Sequence, residues 1–600
     1  MAVVSNEAAQ KVAEGLSKAW KDPKISERLR TEFASAQPFP HVMLRPFLGD
    51  AEFRAVREEL QKVDATQKET DLFRFFQTQD FAPGGAERSP KRRRAESGAE
   101  ASSTSGVAGP TALQTLCDFF GSADFRELCS GISQCGELSE RVDLAAQIYP
   151  PGGHLLCHDD VIGTRKVSFI YYLTDPEEEW KAADGGCLEL YAADRDGYPG
   201  TPANRPAKEV LPLSNALVFF VVEPGKSFHA VREVRGERAR ISIQGWLHAP
   251  SLEATKSPDM RNIATLQQIL GPDAPSAAGA LSDSAPAEGK EKAVDEDADG
   301  TRLSAEDIAH LSSWMAPEYL KDEQMREIAG HFAEQSYVML TEILRKDVAS
   351  EIIGALLEAD REDGFGPDCK EPEVPQYEAG AVDGWSVVGP PHLRRFLQYP
   401  LQTAEAPAGG CHSKLGARMQ HLAKELVGSG AFRRWLYACT QLEQRSAEPS
   451  LVRRFRPGMD YTVAVHASLA TLERAELDAT LMFTTDAAEA KDVWASEEVG
   501  GFECYLEADD EKTESVEAQE VYRGAMDEEG PLLNVPATCN ALSIVLRDRR
   551  TLRFMKYLSR DAPSSRVDVS ARFTVDAPEE ESSDDGEPEE IAARSGAAEE

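Results

Sequence analysis

The spacing of apolar and polar residues divides the chain into helix-forming and strand-forming stretches. An apolar spacing near 3.6 residues predicts amphipathic helices in EFRAVREELQKV (52–63), TALQTLCDFFGSADFRELCSGI (111–132), EQMREIAGHFAEQSYVMLTEIL (323–344) and VASEIIGALLEA (348–359). Short runs rich in β-branched and aromatic residues predict buried strands in VSFIYYL (167–173), LVFFVV (217–222) and RISIQGWLH (240–248). We therefore expect an α+β protein whose helices pack on antiparallel β-cores.

The strand pattern occurs twice along the chain. GGCLELY (185–191) followed by NALVFFV (215–221) has a counterpart in GGFECYL (500–506) followed by NALSIVL (540–546). Each pair follows a Pro-Gly turn that enters a strand with a histidine, in YPPGGHLLCHDD (149–160) and in FRPGMDYTVAVHAS (455–468). The repeat predicts a duplicated β-domain. The alternative is a chance similarity between Gly-led strand openings.

Composition separates these two bodies from segments that lack a core-forming pattern. We divide the chain into an N-terminal helical extension (1–23), a first body (24–250), an acidic linker (251–302), a second body (303–577) and an acidic tail (578–600). The first body contains an insertion, residues 82–110, with the basic run Lys91-Arg92-Arg93-Arg94. Segments this rich in Gly, Ser, Ala and charge are expected to be disordered.

Charge and cysteine content restrict the setting and the partners. The net charge of −38 disfavours direct nucleic-acid binding and favours a basic protein or peptide as partner, although acidity also simply keeps a chain soluble. The ten cysteines form no CxxC pair, which favours reduced thiols over a zinc ribbon or a disulfide framework. No signal sequence and no membrane span is recognisable, so we expect a soluble intracellular protein.

A candidate metal site lies in the first body. His158 and Asp160 stand two residues apart at a predicted strand, where their side chains would share one face. His229 follows the NALVFFV strand, and two histidines with one carboxylate form the facial triad of non-haem Fe(II) oxygenases. Arg240, eleven residues after His229, is placed to bind the far end of a dicarboxylate. The competing chemistry for such ligands is zinc hydrolysis, but no Glu-bearing zincin helix is present nearby.

These motifs resemble a known family. YPPGGHLLCHDDVIGTRKVSFIYYL, GGCLELY, LVFFVVEPGKSFHAV and RISIQGWLH look like the catalytic half of two-domain ribosomal prolyl hydroxylases, of the 2-oxoglutarate- and Fe(II)-dependent oxygenases. PFPHVMLRPFL (38–48), WSVVGPPHLRRF (385–396) and FRPGMDYTVAVH also fit. The resemblance implies two double-stranded β-helix (jelly-roll) domains with flanking helices, of which only the N-terminal one is catalytic.

The resemblance also implies roles for particular residues. His158, Asp160 and His229 match the iron ligands, Arg240 matches the residue that pairs with 2-oxoglutarate, and Tyr172 matches a second partner of that carboxylate. Fe(II), 2-oxoglutarate and O₂ are then required, with ascorbate as a supporting reductant. The implied activity is 3-hydroxylation of a proline in a small-subunit ribosomal protein at the decoding centre, with an effect on translation.

The second body lacks the ligand pattern. His466 is followed by Ala467 and Ser468 instead of a carboxylate, and counting fourteen residues from Asn540, as from Asn215 to His229, reaches Phe554. We therefore expect this half to be a scaffold or a substrate-recruiting domain. Two alternatives remain for the whole chain: an oxygenase acting on another peptidyl or nucleic-acid substrate, and a non-catalytic scaffold in translation or mRNA turnover. The basic run at 91–94 predicts a nuclear as well as a cytoplasmic location, or is simply a solvated loop.

Overall fold

The computed structural model describes residues 23–81, 110–193, 200–255, 292–293, 302–366, 376–402, 409–464, 474–507, 531–548 and 550–576. The helices of the N-terminal half are α1 (Pro23–Ser35), α2 (Asp50–Leu60), α3 (Ala112–Phe120) and α4 (Ala123–Ser133). Its strands are β1 (His41–Leu44), β2 (Ala65–Glu69), β3 (Phe73–Thr78), β4 (Val142–Tyr149), β5 (His154–His158), β6 (Arg165–Tyr172), β7 (Leu188–Leu190), β8 (Lys208–Val210), β9 (Ala216–Val221), β10 (His229–Val231) and β11 (Arg240–His248).

The N-terminal strands form one curled antiparallel sheet. Its order is β1-β9-β6-β11-β4-β3-β5-β10-β7-β8, with β2 beside β3. Because β3 pairs with both β4 and β5, the sheet turns from a larger layer into a smaller one, as in a jelly roll. Alternate residues of β6 face opposite sides: Phe169 and Tyr171 pack on the helices, while Ile170 and Tyr172 point into the roll.

The C-terminal half again combines helices with strands. Its helices are α5 (Ala305–Leu311), α6 (Asp322–Gln335), α7 (Lys346–Asp363), α8 (Cys411–His421, continued by a π-helical turn Leu422–Val427), α9 (Gly430–Thr440) and α10 (Ala488–Ala495). Its strands are β13 (Tyr337–Thr341), β14 (Ser386–Val388), β15 (Arg394–Tyr399), β16 (Gln444–Ala447), β17 (Leu451–Phe455), β18 (Tyr461–Thr462), β19 (Ala475–Phe483), β20 (Glu503–Glu507), β21 (Leu533–Val535), β22 (Ala541–Arg547), β23 (Thr551–Met555) and β24 (Arg566–Val575).

These C-terminal strands form two sheets. The larger has the order β13-β22-β19-β24-β17-β15-β14, with β16 beside β24 and β18 beside β15. The smaller has the order β21-β20-β23. Leu356, Trp435, Leu436 and Leu477 belong to the core between the larger sheet and the helices.

Three expectations about secondary structure need correction. The stretch 323–344 is not one helix: Ser336 takes the left-handed conformation and ends α6, and Tyr337–Thr341 then pairs with β22 as β13. The stretch 111–132 is two helices, because the Ser122 side chain accepts a hydrogen bond from the Phe125 amide and caps a new start. The linker contains a short strand, β12 (Lys292–Ala293), which pairs with β16.

Two further expectations concern the whole chain. No helix among the described residues is long and apolar enough to cross a membrane. The described cysteines are all free thiols. The basic run at 91–94, the segments 1–22 and 577–600 and most of the linker lie outside the described residues.

Candidate active site

The structure brings His158, Asp160 and His229 together inside the jelly roll. β5 and β10 pair so that His158 lies directly opposite His229, and their ring centroids are 4.3 Å apart. The Asp160 carboxylate lies between the two rings, 3.2 Å from Nε2 of His158 and 3.3 Å from Nε2 of His229. One donor atom from each residue falls within 4.8 Å of the others, and all three side chains are buried. Such a set fits a divalent metal of the iron type.

Asp160 reaches the two histidines by a backbone turn, and not by sharing one face of a strand with His158 as expected from the sequence. β5 ends at His158, so Asp160 is not its same-face neighbour on a strand. Asp160 instead has φ of 62°, a left-handed conformation that asparagine and aspartate tolerate better than most residues. This turn brings the carboxylate back to the imidazoles. Burial alone would raise the pKa of Asp160, but the imidazoles of His229 and His158 hold that pKa well below its usual range.

Backbone carbonyls orient both imidazoles. Nδ1 of His158 donates to the Leu156 carbonyl, and Nδ1 of His229 donates to the Ser227 carbonyl, each at 2.8 Å. With Nδ1 occupied in this way, each ring presents Nε2 to the centre of the site. Outer hydrogen bonds of this kind fix the tautomer and orientation of metal-binding histidines. Phe220 packs edge-on against His229 at 4.8 Å and limits the movement of its ring.

Arg240 lies at the start of β11 with its side chain fully buried. Its Nη1 atom donates to Ser242 Oγ at 3.2 Å, whereas Nε and Nη2 meet no hydrogen-bond acceptor in the described part of the chain. The guanidinium lies over the rings of Tyr149 and Tyr172, 4.8 and 5.0 Å from their centroids. Burial raises the pKa of the Tyr172 hydroxyl, and the nearby Arg240 opposes that rise. Buried donors without an acceptor suit an anionic ligand.

A glycine makes room for this arginine. Gly186 has φ of 64°, and a Cβ there would lie 3.2 Å from Arg240 Cδ and 3.2 Å from the Trp180 ring. Any larger residue would therefore be strained in its backbone and would press on the arginine. The GG pair singled out as a strand opening thus has a steric function that the pattern alone did not reveal.

Two buried carboxylates next to the site escaped the sequence analysis. Glu189 on β7 lies opposite Ala230, the neighbour of His229, and is 1% exposed. It accepts hydrogen bonds from Tyr191 of the same half at 2.7 Å and from Tyr377 of the C-terminal half, also at 2.7 Å. Tyr377 is 188 positions away from Glu189 in sequence, so no local sequence pattern predicts this contact.

The second carboxylate, Glu233, follows β10 and also reaches the C-terminal half. It accepts hydrogen bonds from the Ser559 hydroxyl at 2.5 Å, the Tyr557 hydroxyl at 3.2 Å and the Arg560 amide at 3.0 Å. Burial raises the pKa of Glu233 to about 7 in spite of these bonds, and Asp561 adds to the rise. The C-terminal half is thus hydrogen-bonded to the strands that carry or flank the two histidines.

Among the described residues, the C-terminal strands β20 and β23 bring no such set of metal-binding side chains together. On β10 His229 pairs with Leu190, four residues after Gly186; on β23 Arg553 pairs with Tyr505, four residues after Gly501. Arg553, thirteen residues after Asn540, therefore takes the place of His229, and the count of fourteen that reached Phe554 was wrong by one. The residues His466, Ala467 and Ser468 lie outside the described residues.

Known proteins resemble this chain over nearly its whole length. Residues 144–248 match the family model described as the 2OG-Fe(II) oxygenase superfamily, and residues 306–581 match the one described as the oxoglutarate and iron-dependent oxygenase degradation C-term. Prolyl 3,4-dihydroxylase OGFOD1 of Ostreococcus tauri is 34% identical over 90% of this chain and 95% of its own length. Prolyl 3-hydroxylase OGFOD1 of Xenopus laevis is 27% identical over 88% of this chain and 86% of its own length. Prolyl 3-hydroxylase sudestada1 of Drosophila melanogaster is 26% identical over 94% of this chain and 88% of its own length.

The chain therefore belongs to the 2-oxoglutarate- and Fe(II)-dependent oxygenases, and within that family it is a prolyl hydroxylase. Its metal and co-substrates are those of the family: Fe(II), 2-oxoglutarate and O₂. The family resemblance expected from the sequence is confirmed.

Proposed function

We propose that His158, Asp160 and His229 hold the Fe(II) of this prolyl hydroxylase, and that Arg240 and Tyr172 bind 2-oxoglutarate. The observation that carries the proposal is the convergence of two Nε2 atoms and a carboxylate in one buried pocket. The orphaned donors of Arg240 add to it, because a buried guanidinium with free N–H groups needs an acceptor. Only three protein ligands are then used, which leaves coordination positions for the co-substrates.

The protein residues in this mechanism bind, orient and exclude water. Fe(II) with 2-oxoglutarate and O₂ supplies the oxidising power that places a hydroxyl group on the substrate. The buried Arg240 would neutralise the distal carboxylate of 2-oxoglutarate, and the Tyr172 hydroxyl, which has no hydrogen-bond partner among the described residues, would donate to the same group. The carbonyls of Leu156 and Ser227 keep both imidazoles in the ligating tautomer.

The proposed substrate is a proline of a small-subunit ribosomal protein at the decoding centre, hydroxylated at ring carbon 3, with an effect on translation. The net charge of −38 supports a basic protein substrate, because ribosomal proteins carry positive charge. Relatives named prolyl 3-hydroxylase support the ring position. Ascorbate is proposed to support turnover by keeping the iron reduced.

We propose that residues 303–577 form a second, non-catalytic jelly roll. Strand order supports this: β13-β22-β19-β24-β17-β15 repeats β1-β9-β6-β11-β4-β3, and β21-β20-β23 repeats β8-β7-β10. Arg566 starts β24 as Arg240 starts β11, but it lies 3.3 Å from Glu503 and 3.3 Å from Asp568. Arg553 is likewise paired with Glu503. Where the N-terminal half has His229, the described part of the C-terminal half therefore has a cation matched by buried carboxylates instead of a metal-binding set.

The second jelly roll is proposed to support the catalytic one. Its Tyr377, Tyr557 and Ser559 hydrogen-bond Glu189 and Glu233, which flank the histidine strand β10. Lys556 also reaches the Thr70 carbonyl and pairs with Glu69 at 3.1 Å. The division into bodies 24–250 and 303–577 is thus one of sequence pattern, while the two halves share a polar interface.

The basic run at 91–94 is proposed to direct part of the protein to the nucleus.

Hydroxylation of the intact ribosomal protein tests the proposal. The full chain is incubated with Fe(II), 2-oxoglutarate, ascorbate and the ribosomal protein, and peptides are sequenced by mass spectrometry. We expect one or more added oxygen atoms on a single proline, in step with succinate formation. Succinate without any modified proline in that protein would reject the substrate while leaving the oxygenase chemistry intact.

A further inference from the structure

A second group of metal-binding side chains lies in the C-terminal half, where α7 ends and α8 begins. Glu362 is the penultimate residue of α7, Cys411 is the first residue of α8, and His412 follows it. One donor atom from each of these three residues lies within 4.8 Å of the others. None of them touches the catalytic site.

The three donor atoms form a triangle close in average size to the one that three ligands make on a tetrahedral zinc ion. Cys411 Sγ lies 2.7 Å from Glu362 Oε2 and 3.3 Å from His412 Nδ1, and His412 Nδ1 lies 3.9 Å from Glu362 Oε2. Zinc bonds to S, N and O at their usual lengths separate such ligand atoms by about 3.3–3.6 Å. The short and the long edge both end at Glu362, whose side chain is 66% exposed and therefore has room to rotate on binding the ion.

The histidine of this group is oriented in advance. Its Nε2 atom donates to Asp363 at 3.0 Å, which leaves Nδ1 facing Cys411 and Glu362. Asp363 is itself held by Arg454 at 2.8 Å, and the His412 carbonyl accepts from the Trp385 indole at 3.0 Å. A carboxylate behind a histidine is the usual outer support of a zinc ligand.

The ends of the two helices favour the same ion. The carbonyl end of α7 carries partial negative charge and attracts a cation, while the amide end of α8 stabilises a thiolate at Cys411. A Cys-His-Asp nucleophile is the other chemistry that these residues suggest. In that chemistry the thiol would give its proton to His412, whereas here the Cys411 thiol donates to the Glu362 carboxylate at 2.7 Å.

We propose that Glu362, Cys411 and His412 bind a zinc ion that joins the end of α7 to the start of α8. Binding releases the thiol proton of Cys411 to solvent, and the thiolate sulfur then bonds to zinc. Water completes the fourth position, because Glu362 is exposed and Cys411 is only half-buried. This site is structural and independent of the hydroxylation chemistry.

Cobalt(II) distinguishes this site from the catalytic one. His158, Asp160 and His229 offer only nitrogen and oxygen donors. A sulfur-to-cobalt charge-transfer band in the near ultraviolet therefore reports only on a cysteine ligand. Metal-free, reduced full-length protein is titrated with cobalt(II) and then with zinc. We expect a charge-transfer band that appears at one equivalent per chain and that zinc abolishes. Cys411→Ser should lose the band, while Cys539→Ser, which changes a half-buried thiol elsewhere, should keep it.

Two further variants guard against simple misfolding. Glu362→Gln changes an exposed side chain and should weaken zinc binding while the melting temperature without metal stays the same. Asp363→Asn, which keeps the size of the side chain but removes the charge behind His412 and beside Arg454, should weaken zinc binding about ten- to a hundredfold. Absence of the band in the wild-type protein, or an equal band in Cys411→Ser, refutes the site. Hydroxylation by Cys411→Ser should equal that of the wild type, so failure here leaves the proposed function untouched.

Discussion

Replacement of Arg240 by alanine tests the proposed co-substrate pocket. The side chain is fully buried, and only one of its three nitrogens has a hydrogen-bond acceptor within the described residues. The distal carboxylate of 2-oxoglutarate would lose a charge partner that is itself fully buried. Removing one partner of a buried ion pair costs about 3–5 kcal/mol. At about 1.4 kcal/mol for each factor of ten, the requirement for 2-oxoglutarate rises at least about a hundredfold.

The assay is succinate formation at increasing 2-oxoglutarate concentration, with prolyl substrate and Fe(II) held constant. A large increase in the half-saturating 2-oxoglutarate concentration is expected for Arg240→Ala, and iron binding should be retained. Arg238→Ala is the matched control, because Arg238 pairs with Asp184 at 2.9 Å outside the pocket. An unchanged requirement in Arg240→Ala would mean that another residue binds the carboxylate.

Three further predictions concern the interface and the location. Tyr377→Phe removes a hydrogen-bond donor to the buried Glu189 carboxylate. It should lower the unfolding free energy by about 1.5–3 kcal/mol and raise the Fe(II) concentration needed for turnover. The control is Tyr319→Phe, which removes an exposed hydroxyl that donates to the Thr341 carbonyl and should change the iron requirement little. Burial raises the pKa of Glu233 to about 7, so the folded state keeps a proton that the unfolded chain loses, and the unfolding free energy should fall as the pH rises from about 4.5 to 7. Measured by urea unfolding, Glu233→Gln should lose less unfolding free energy over this pH range than the wild type. The same pH dependence in both proteins would refute the raised pKa of Glu233. Alanine at the four residues 91–94 should shift a tagged protein towards the cytoplasm, and an unchanged distribution would reject the import signal.

Local sequence pattern predicted many of the strands and a set of residues that the structure brings together. The order of His158, Asp160, His229 and Arg240 along the chain identified a set that the structure brings into one roll. Strand positions followed from runs of β-branched and aromatic residues, because a buried strand selects those side chains over its whole length. Helix ends were less predictable. α6 stops at Ser336 where β13 gains a full set of partners on β22, a tertiary contact that apolar spacing does not encode.

Contacts between distant parts of the chain account for what was missed. Glu189 and Glu233 looked like ordinary charged residues, yet partners 188 and 326 positions away make them buried acceptors next to the site. Glu362 and Cys411 are 49 positions apart and meet only because two helix ends meet. The left-handed turn at Asp160 also lay beyond a strand-based argument, although an aspartate at that position is compatible with it.

The most direct test of the account compares the wild type with Asp160→Ala on the same ribosomal protein. Both proteins are incubated with Fe(II), 2-oxoglutarate and O₂, and peptide mass spectrometry and succinate are measured together. We predict oxygen added to a single proline by the wild type, in proportion to succinate, and neither product from Asp160→Ala at an unchanged melting temperature. Proline hydroxylation by Asp160→Ala at the wild-type rate would contradict the assignment of the site.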